Sequence, residues 1–300
     1  MTWGIVAGLL AGALWGLVFV APRMTPGLSS LDLAAGRFIA YGLMSVAVLC
    51  FLPGRRHRPT LAQMGWALGL SVLGFTGYYW LLVLAIRDAG TEVPTLVIGT
   101  IPLWVMLLGK PLGLRWATLL PGLALTAAGL ALMMAATHGG AAVASASHPP
   151  DFLRGVACAV AAMACWTAFA LGNAVWLKKN SEVAATDWAN WLGVATGGGA
   201  LLLWLALGTP AHTLLQHPGF AQSAVVCVTT GLGSAWLATI LWNIASQRLS
   251  ASLCGQLIVS ETVFALIYSF AWDGHWPSAM QLAACVLFTL GILFSIKAHR

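Results

Sequence analysis

What most limits this chain is how rarely a charge interrupts its apolar runs. Lys and Arg number 14 and Asp and Glu 8 in 300 residues, 7% of the chain, where a soluble domain carries about 25%. A surface facing water cannot be built from so few. The apolar runs fall at 3–21, 31–52, 62–86, 91–109, 115–136, 152–177, 184–207, 222–246, 252–270 and 278–297. One bilayer crossing takes ~20 apolar residues, and backbone polar groups in hydrocarbon must be bonded within their own segment. The sequence therefore predicts an all-α integral membrane protein with ten transmembrane helices. The polar cluster Arg87-Asp88-Ala89-Gly90-Thr91-Glu92 separates the third run from the fourth, and Ser246-Gln247-Arg248-Leu249-Ser250 separates the eighth from the ninth. Met1 to Gly16 lacks the charged start and cleavage site of a signal peptide, so it reads as a retained first span.

The charges that remain report topology. With the N-terminus in the cytoplasm, the inner loops hold Arg55, Arg56, Arg58, Lys110, Arg115, Lys178, Lys179, Arg248, Lys297 and Arg300, against Arg23, Arg87 and Arg154 outside. Both termini are expected to be cytoplasmic. The low-complexity stretch Gly139 to Pro150 divides the chain into a first five-span unit (1–138), an external linker (139–151) and a second five-span unit (152–300). With an odd number of crossings in each, two units of like fold must lie upside down to each other, the inverted-repeat plan of many secondary transporters. A slide of 160 positions superposes the two polar breaks, sets Leu81 on Leu241, Ala85 on Ala245 and Ile98 on Ile258, and brings Thr100 to Ser260.

Several chemistries are missing. The six cysteines lie in or at the ends of apolar runs without a CxxC pair, which implies neither a disulfide framework nor a zinc site. All seven histidines fall in loops or tails, which argues against haem ligation. There is no HExxH, GxSxG or P-loop pattern, and the basic residues form no stripe with aromatics for nucleic acid. The sequence predicts no catalytic residue, metal or cofactor. Clustered carboxylates or histidines at one interface, which a lipid-modifying membrane enzyme needs, are lacking.

Polar groups inside a span need a reason, since a mid-helix charge costs ~2.5–3.5 kcal/mol on insertion scales. Glu261, midway along the ninth span, is the only acidic residue so placed. It reads as a proton-coupling carboxylate, as a ligand for a substrate ammonium, or as a structural group bonded to a neighbouring helix. Arg37, about two turns into the second span, could attract a substrate carboxylate or pair with Asp32 and helix ends. Trp166, Ala170 and Asn173 share a face of the sixth span, Trp236, Ile240 and Asn243 repeat that spacing on the eighth, and Gln256 shares a face of the ninth with Ser260. Asn173, Asn243 and Gln256 lie toward the cytoplasm, where they would line a polar inner gate or brace helices. Of the 15 Trp, Trp3, Trp116, Trp188, Trp272 and Trp276 sit at span ends as an interfacial belt. Trp15, Trp104, Trp166 and Trp236 lie deeper. Tyr78, Tyr79 and Trp80 are adjacent, so at most two face a common cavity. The candidate substrate-binding set is thus Tyr78, Tyr79, Trp104, Trp166, Asn173, Trp236, Asn243 and Gln256, with Glu261 and Arg37 as coupling or structural groups. Gly8, Gly12 and Gly16 form a small-residue face suited to close packing within the bundle. Pro94, Pro102 and Gly197-Gly198-Gly199 are candidate hinges.

Trp15-Gly16, Arg37-Phe38, Pro102 and Ser260-Glu261-Thr262, together with the span count and loop signs, resemble the ten-span, EamA-like branch of the drug/metabolite transporter superfamily. Thr262 stands where that pattern usually has proline, so the ninth helix is expected to be less kinked. Within the superfamily the chain looks most like the bacterial YddG-type aromatic amino acid exporters. The resemblance implies ten helices around a central cavity, no enzyme activity, a bacterial inner-membrane location and export of aromatic amino acids and related amphipathic metabolites, working as a monomer. A broad drug/metabolite or nucleotide-sugar-like carrier of the same fold is the alternative. The Glu belongs to the family pattern whatever the substrate, which favours its structural role.

Overall fold

Each predicted run folds as helix. A computed structural model describes residues 1–25, 27–51, 58–90, 92–137, 151–274 and 276–299. The apolar helices, in chain order, are α1 (Thr2–Phe19), α2 (Ser30–Phe51), α3 (Leu61–Ala89), α4 (Pro94–Leu108), α5 (Trp116–Ala136), α6 (Phe152–Lys179), α7 (Ala185–Leu207), α8 (Phe220–Arg248), α9 (Ala251–Trp272) and α10 (Ala279–Ala298). Nine are long and apolar enough to cross a membrane, and α4 is the short one. Among the described residues there is no strand. The linker up to Pro150 and the basic cluster through His57 lie outside the described residues.

The polar breaks work as caps. Thr60 and Gln63 cap α3 reciprocally, with Thr60 N donating to Gln63 Oε1 at 2.9 Å and Gln63 N to Thr60 Oγ1 at 3.3 Å. Ser278 and Gln281 do the same for α10, and Ser250 Oγ accepts from Leu253 N at the start of α9. Each arrangement satisfies donors that a first helical turn otherwise leaves bare. α4 is interrupted at Thr100, between Glu92–Gly99 and Ile101–Leu108. Pro102 has no N–H for the Ile98 carbonyl, and Thr100 Oγ1 turns back to Val97 O at 2.6 Å. At 1.5 Å per residue the fifteen residues of α4 reach only about 22 Å, short of the ~30 Å hydrocarbon core. α9 carries Thr262 in place of proline and runs unbroken, as expected. α3 and α8 each contain a widened π-type turn, at Val72–Thr76 and Gly231–Leu237.

Glycine seams fix the helix pairs. α1 runs parallel to α9. A Cβ at Gly4 would strike Leu249, at Gly8 Leu257, at Gly12 Ser260, and at Gly16 the Phe264–Ala265 backbone. The small-residue face of α1 is thus spent on packing inside the bundle. α2 and α7 cross antiparallel where a Cβ on Gly42 would lie 2.7 Å from Gly197 Cα. Gly197 of the glycine run serves this close approach, and α7 is unbroken there. α5 pairs with α10, α3 with α6, α1 with α8 and α4 with α9. These contacts place both described chain ends, Met1 and His299, at one end of the bundle, called the terminal end below. At the opposite end, Asp88 on α3 accepts from Arg87 Nε at 2.9 Å and Arg154 Nε of α6 at 2.7 Å.

Candidate functional site

Burial along α9 shows where the bundle opens. Every residue from Ser252 to Ser260 is buried, whereas Glu261 to Phe264 are all half-buried. Four consecutive helical residues sample every side of the helix, so this is a change with depth and not a change of face. α4 behaves alike, with Leu96 to Thr100 half-buried and Ile101 and Pro102 buried, and on α3 Phe75 to Tyr79 are half-buried. Along α9 and α4 packing is tighter toward the terminal end, whereas α2 is buried from Leu31 to Ala35 at the far end.

Four of the predicted polar residues come within electrostatic reach of one another. Arg37 of α2 lies within electrostatic reach of Tyr78 and Tyr79 of α3 and of Glu261 of α9, and Tyr78 feels Glu261 in turn. All four are half-buried. Arg37 does not pair with Asp32. That carboxylate is bound by Ser29 Oγ at 2.6 Å, Thr209 Oγ1 at 2.7 Å, Thr209 N at 2.9 Å and Trp204 Nε1 at 3.1 Å, stapling α2 to the end of α7. The expected Arg37–Asp32 pair is replaced by this staple because Thr209 and Trp204 reach Asp32 from across the crossing. The Tyr79 hydroxyl donates to Ser30 O, whereas the Tyr78 hydroxyl has no hydrogen bond among the described residues. Trp80 of the same triplet turns outward.

Aromatic rings form a continuous chain that starts at Tyr79. Phe38 packs edge-on to Tyr79 at 6.3 Å and to Phe75 at 5.7 Å, Phe75 meets Phe169 at 5.3 Å, and Phe169 meets Trp166 at 6.0 Å. Trp166 then joins Trp15 and Trp242, each at 6.4 Å. Edge-to-face pairs at such distances are each worth ~0.5–1.5 kcal/mol beyond area burial. Phe38, Phe75 and Phe169 were not in the predicted set. The legible signal was Phe169 one turn from Trp166 on α6, and Gly74, whose missing side chain makes room for the Phe169 ring.

The predicted amides go elsewhere. Asn173, Asn243 and Gln256 are fully buried near the terminal end. Asn173 Nδ2 donates to Asn243 Oδ1 at 3.0 Å, Trp188 Nε1 donates to Asn173 Oδ1 at 2.7 Å, and Asn243 Nδ2 reaches Ala185 O at 3.3 Å. Gln256 holds Thr126 of α5 at 2.8 Å and Ser295 of α10 at 3.0 Å. These groups tie α6, α7 and α8 together, and α5, α9 and α10. Trp188 is therefore no belt residue. It is 0% exposed and stacks on Trp176 at 3.5 Å, because the first turn of α7 faces α6. Trp3 and Trp276, 73% and 93% exposed, fit the expected belt. Trp236 donates to Asn190 Oδ1 at 2.9 Å. Trp104 is 43% exposed and donates to Thr100 Oγ1 at 3.2 Å. A separate cavity of about 430 Å³ lies between the far ends of α1, α8 and α9, lined by Leu17, Met24, Val226, Ser234, Tyr268 and Trp272, and touches none of the predicted residues.

A helical bundle of this hydropathy, with helices long and apolar enough to cross a membrane among the described residues, is a multi-pass membrane protein. The EamA-like transporter family matches residues 2–137. The inner membrane protein YtfF of Escherichia coli (strain K12) is 30% identical over 98% of this chain and 95% of its own length. The chain belongs to the EamA-like transporter family of the drug/metabolite transporter type. A solved crystal structure at 19% identity shares the fold, with a TM-score of 0.76 and 98% of each chain covered.

Proposed function

We propose that the protein is a secondary transporter that exports aromatic amino acids and related small amphipathic metabolites by alternating access. It works as a monomer in the bacterial inner membrane with both termini cytoplasmic, and its closest functional likeness is to the YddG-type exporters. The observation that carries the reading is the chain of ring contacts from Phe38 to Trp166, with Arg37, Tyr78 and Glu261 within electrostatic reach of one another beside it. Rings along a solute path favour a solute with a ring of its own. Tyr78 and Trp166 are the substrate contacts, with Tyr79, Trp104 and Trp236 in supporting positions.

Two inverted five-helix units, 1–138 and 152–300 joined by an external linker, supply the rocking parts. The helix partners support this plan. Exchanging each helix of the first five for its counterpart turns the α1–α8 pair into α6–α3 and α1–α9 into α6–α4. It leaves α2–α7, α4–α9 and α5–α10 unchanged, and all of these pairs occur. The widened turns of α3 and α8 also coincide under the slide of 160 positions. On this reading the bonded amides Asn173, Asn243 and Gln256 act as an inner gate at the terminal end. Family membership makes the chain a transporter in preference to an enzyme.

Reconstitution into liposomes with a panel of labelled amino acids tests the proposal. Phe, Trp or Tyr should move, and alanine at Tyr78 or Trp166 should slow them. Movement of another solute but none of these three rejects the substrate assignment. Unchanged aromatic transport in both alanine variants rejects the site.

A further inference from the structure

α3 and α7 diverge at the end of the bundle opposite the termini. α7 packs on α3 from Leu61 to Thr76 but parts from it over Gly77–Ala89, beyond the widened turn. Polar ties hold the surrounding helices in place. Asp32 staples the start of α2 to the end of α7 through Trp204 and Thr209, and the Tyr79 hydroxyl pins α3 to Ser30 O of α2. Between the diverging helices lies a cleft of about 370 Å³, lined by Leu31, Trp80, Val83, Leu84, Arg87 and Leu207. Ligand pockets typically span ~300–1,000 Å³. Leu31 is its buried floor, whereas Trp80 and Leu207 are 49% and 54% exposed at its edges. Arg87 is the one charged residue of the lining. Its Nε bonds Asp88 at 2.9 Å and its side chain is 62% exposed. Its two Nη groups make no bond among the described residues.

Arg87 stands seven residues beyond Trp80 on the same helix, about 10 Å of helix rise. The cleft therefore runs along the bundle for much of one leaflet's ~15 Å, half of the ~30 Å hydrocarbon core. It is an apolar channel with a cation at its outer end. Water in it would meet apolar walls. A hydrocarbon chain without a head would leave the guanidinium unanswered, and a free anion would leave the walls bare. A molecule with an anionic group on an apolar chain matches both, and the bilayer holds such molecules at this depth. We infer that the cleft seats one bilayer phospholipid. Its phosphate takes the paired Nη donors of Arg87, the planar two-donor contact open to arginine. One acyl chain descends along Leu31, Val83 and Leu84 between Trp80 and Leu207. The walls come from α2 and α3, before the linker at 139–151, and from α7 after it, so the seated lipid bridges the two and stabilises the arrangement described. The inference needs only the membrane setting and stands whatever solute is carried.

The test uses the full chain, purified in detergent and stripped of lipid, with bound molecules counted by native mass spectrometry. Dioleoyl phosphatidylglycerol should add one tightly held lipid and raise the melting temperature. Dioleoylglycerol, which lacks the phosphate, and glycerophosphoglycerol, which lacks the chains, should each bind at least about tenfold more weakly. These comparisons need no variant to fold. Arg87→Gln should weaken the phospholipid about tenfold and leave dioleoylglycerol unchanged, and Arg87→Lys should keep part of the affinity. Leu84→Trp, which fills the cleft, should abolish the tight lipid. Leu43→Trp, at a 66% exposed position of α2 outside the cleft, should not. Equal binding of phospholipid and dioleoylglycerol overturns the inference, as does phospholipid binding untouched in both Arg87→Gln and Leu84→Trp. A wild-type dimer that holds no lipid and is split by Leu84→Trp would give the cleft to a second copy of the chain and overturn it too.

Discussion

Replacing Asn173 by Leu tests whether the bonded amides are a seal or only mortar. The substitution nearly keeps volume and removes two bonds, from Trp188 Nε1 at 2.7 Å and to Asn243 Oδ1 at 3.0 Å. At the average of ~0.6 kcal/mol for a bond between membrane helices the loss is ~1.2 kcal/mol. The indole N–H and amide oxygen stranded in a fully buried site raise it toward ~3 kcal/mol. With a working value of ~2 kcal/mol and ~1.4 kcal/mol per tenfold, the open population of the terminal end rises about 30-fold. A native reporter is in place. Cys254 lies in the packed half of α9, 1% exposed, whereas Cys50 is exposed in the same protein. Alkylation by a membrane-permeant maleimide, read peptide by peptide in a mass spectrometer, should accelerate about 30-fold at Cys254 and hardly at Cys50. A variant that unfolds at lower temperature while Cys254 reacts at the wild-type rate would refute the gate and leave the amides as general bracing.

Gly42→Ala places a methyl group 2.7 Å from Gly197 Cα, so overpacking should cost ~1–3 kcal/mol in the thermal stability of the detergent-purified protein. Gly198→Ala, with nothing within 4 Å, should be silent. Thr262→Pro removes a backbone bond from the unbroken α9 and should cost ~3 kcal/mol in the same melt, so an unaltered melt would mean that α9 is already yielding there. Asp88→Asn weakens the pair with Arg87 and the Arg154 contact that ties α3 to α6 and should lower the melting temperature. Asp151→Asn, whose ion pair with Arg154 is 54% exposed on both sides, should leave it unmoved.

Helix positions were readable because hydrocarbon leaves the backbone one solution, and the caps at Thr60, Ser250 and Ser278 are local. The break in α4 followed from Pro102, and the continuity of α9 from Thr262. Partners were not readable. Nothing in a tryptophan at a span end distinguishes Trp188, stacked on Trp176, from Trp3 facing outward, since the difference lies in which helix stands opposite. Arg37 shows the same limit. Its neighbour Asp32 is visible in the sequence, but that Thr209, far along the chain, has taken that carboxylate is a property of the fold. Asn173 and Asn243 meet each other while Gln256 meets Thr126 and Ser295, and that choice of partner depends on which helix stands opposite.

The seam between α1 and α9 has a consequence for how the protein is made. Gly8 meets Leu257, about 250 residues downstream, and synthesis at ~5–20 residues per second delivers that partner roughly 12–50 s later. Until then the first helix to enter the membrane carries a groove shaped for a neighbour not yet translated, and lipid or another chain must fill it. Assembly of this protein is therefore a late event, since α1 waits for α9 and α5 waits for α10.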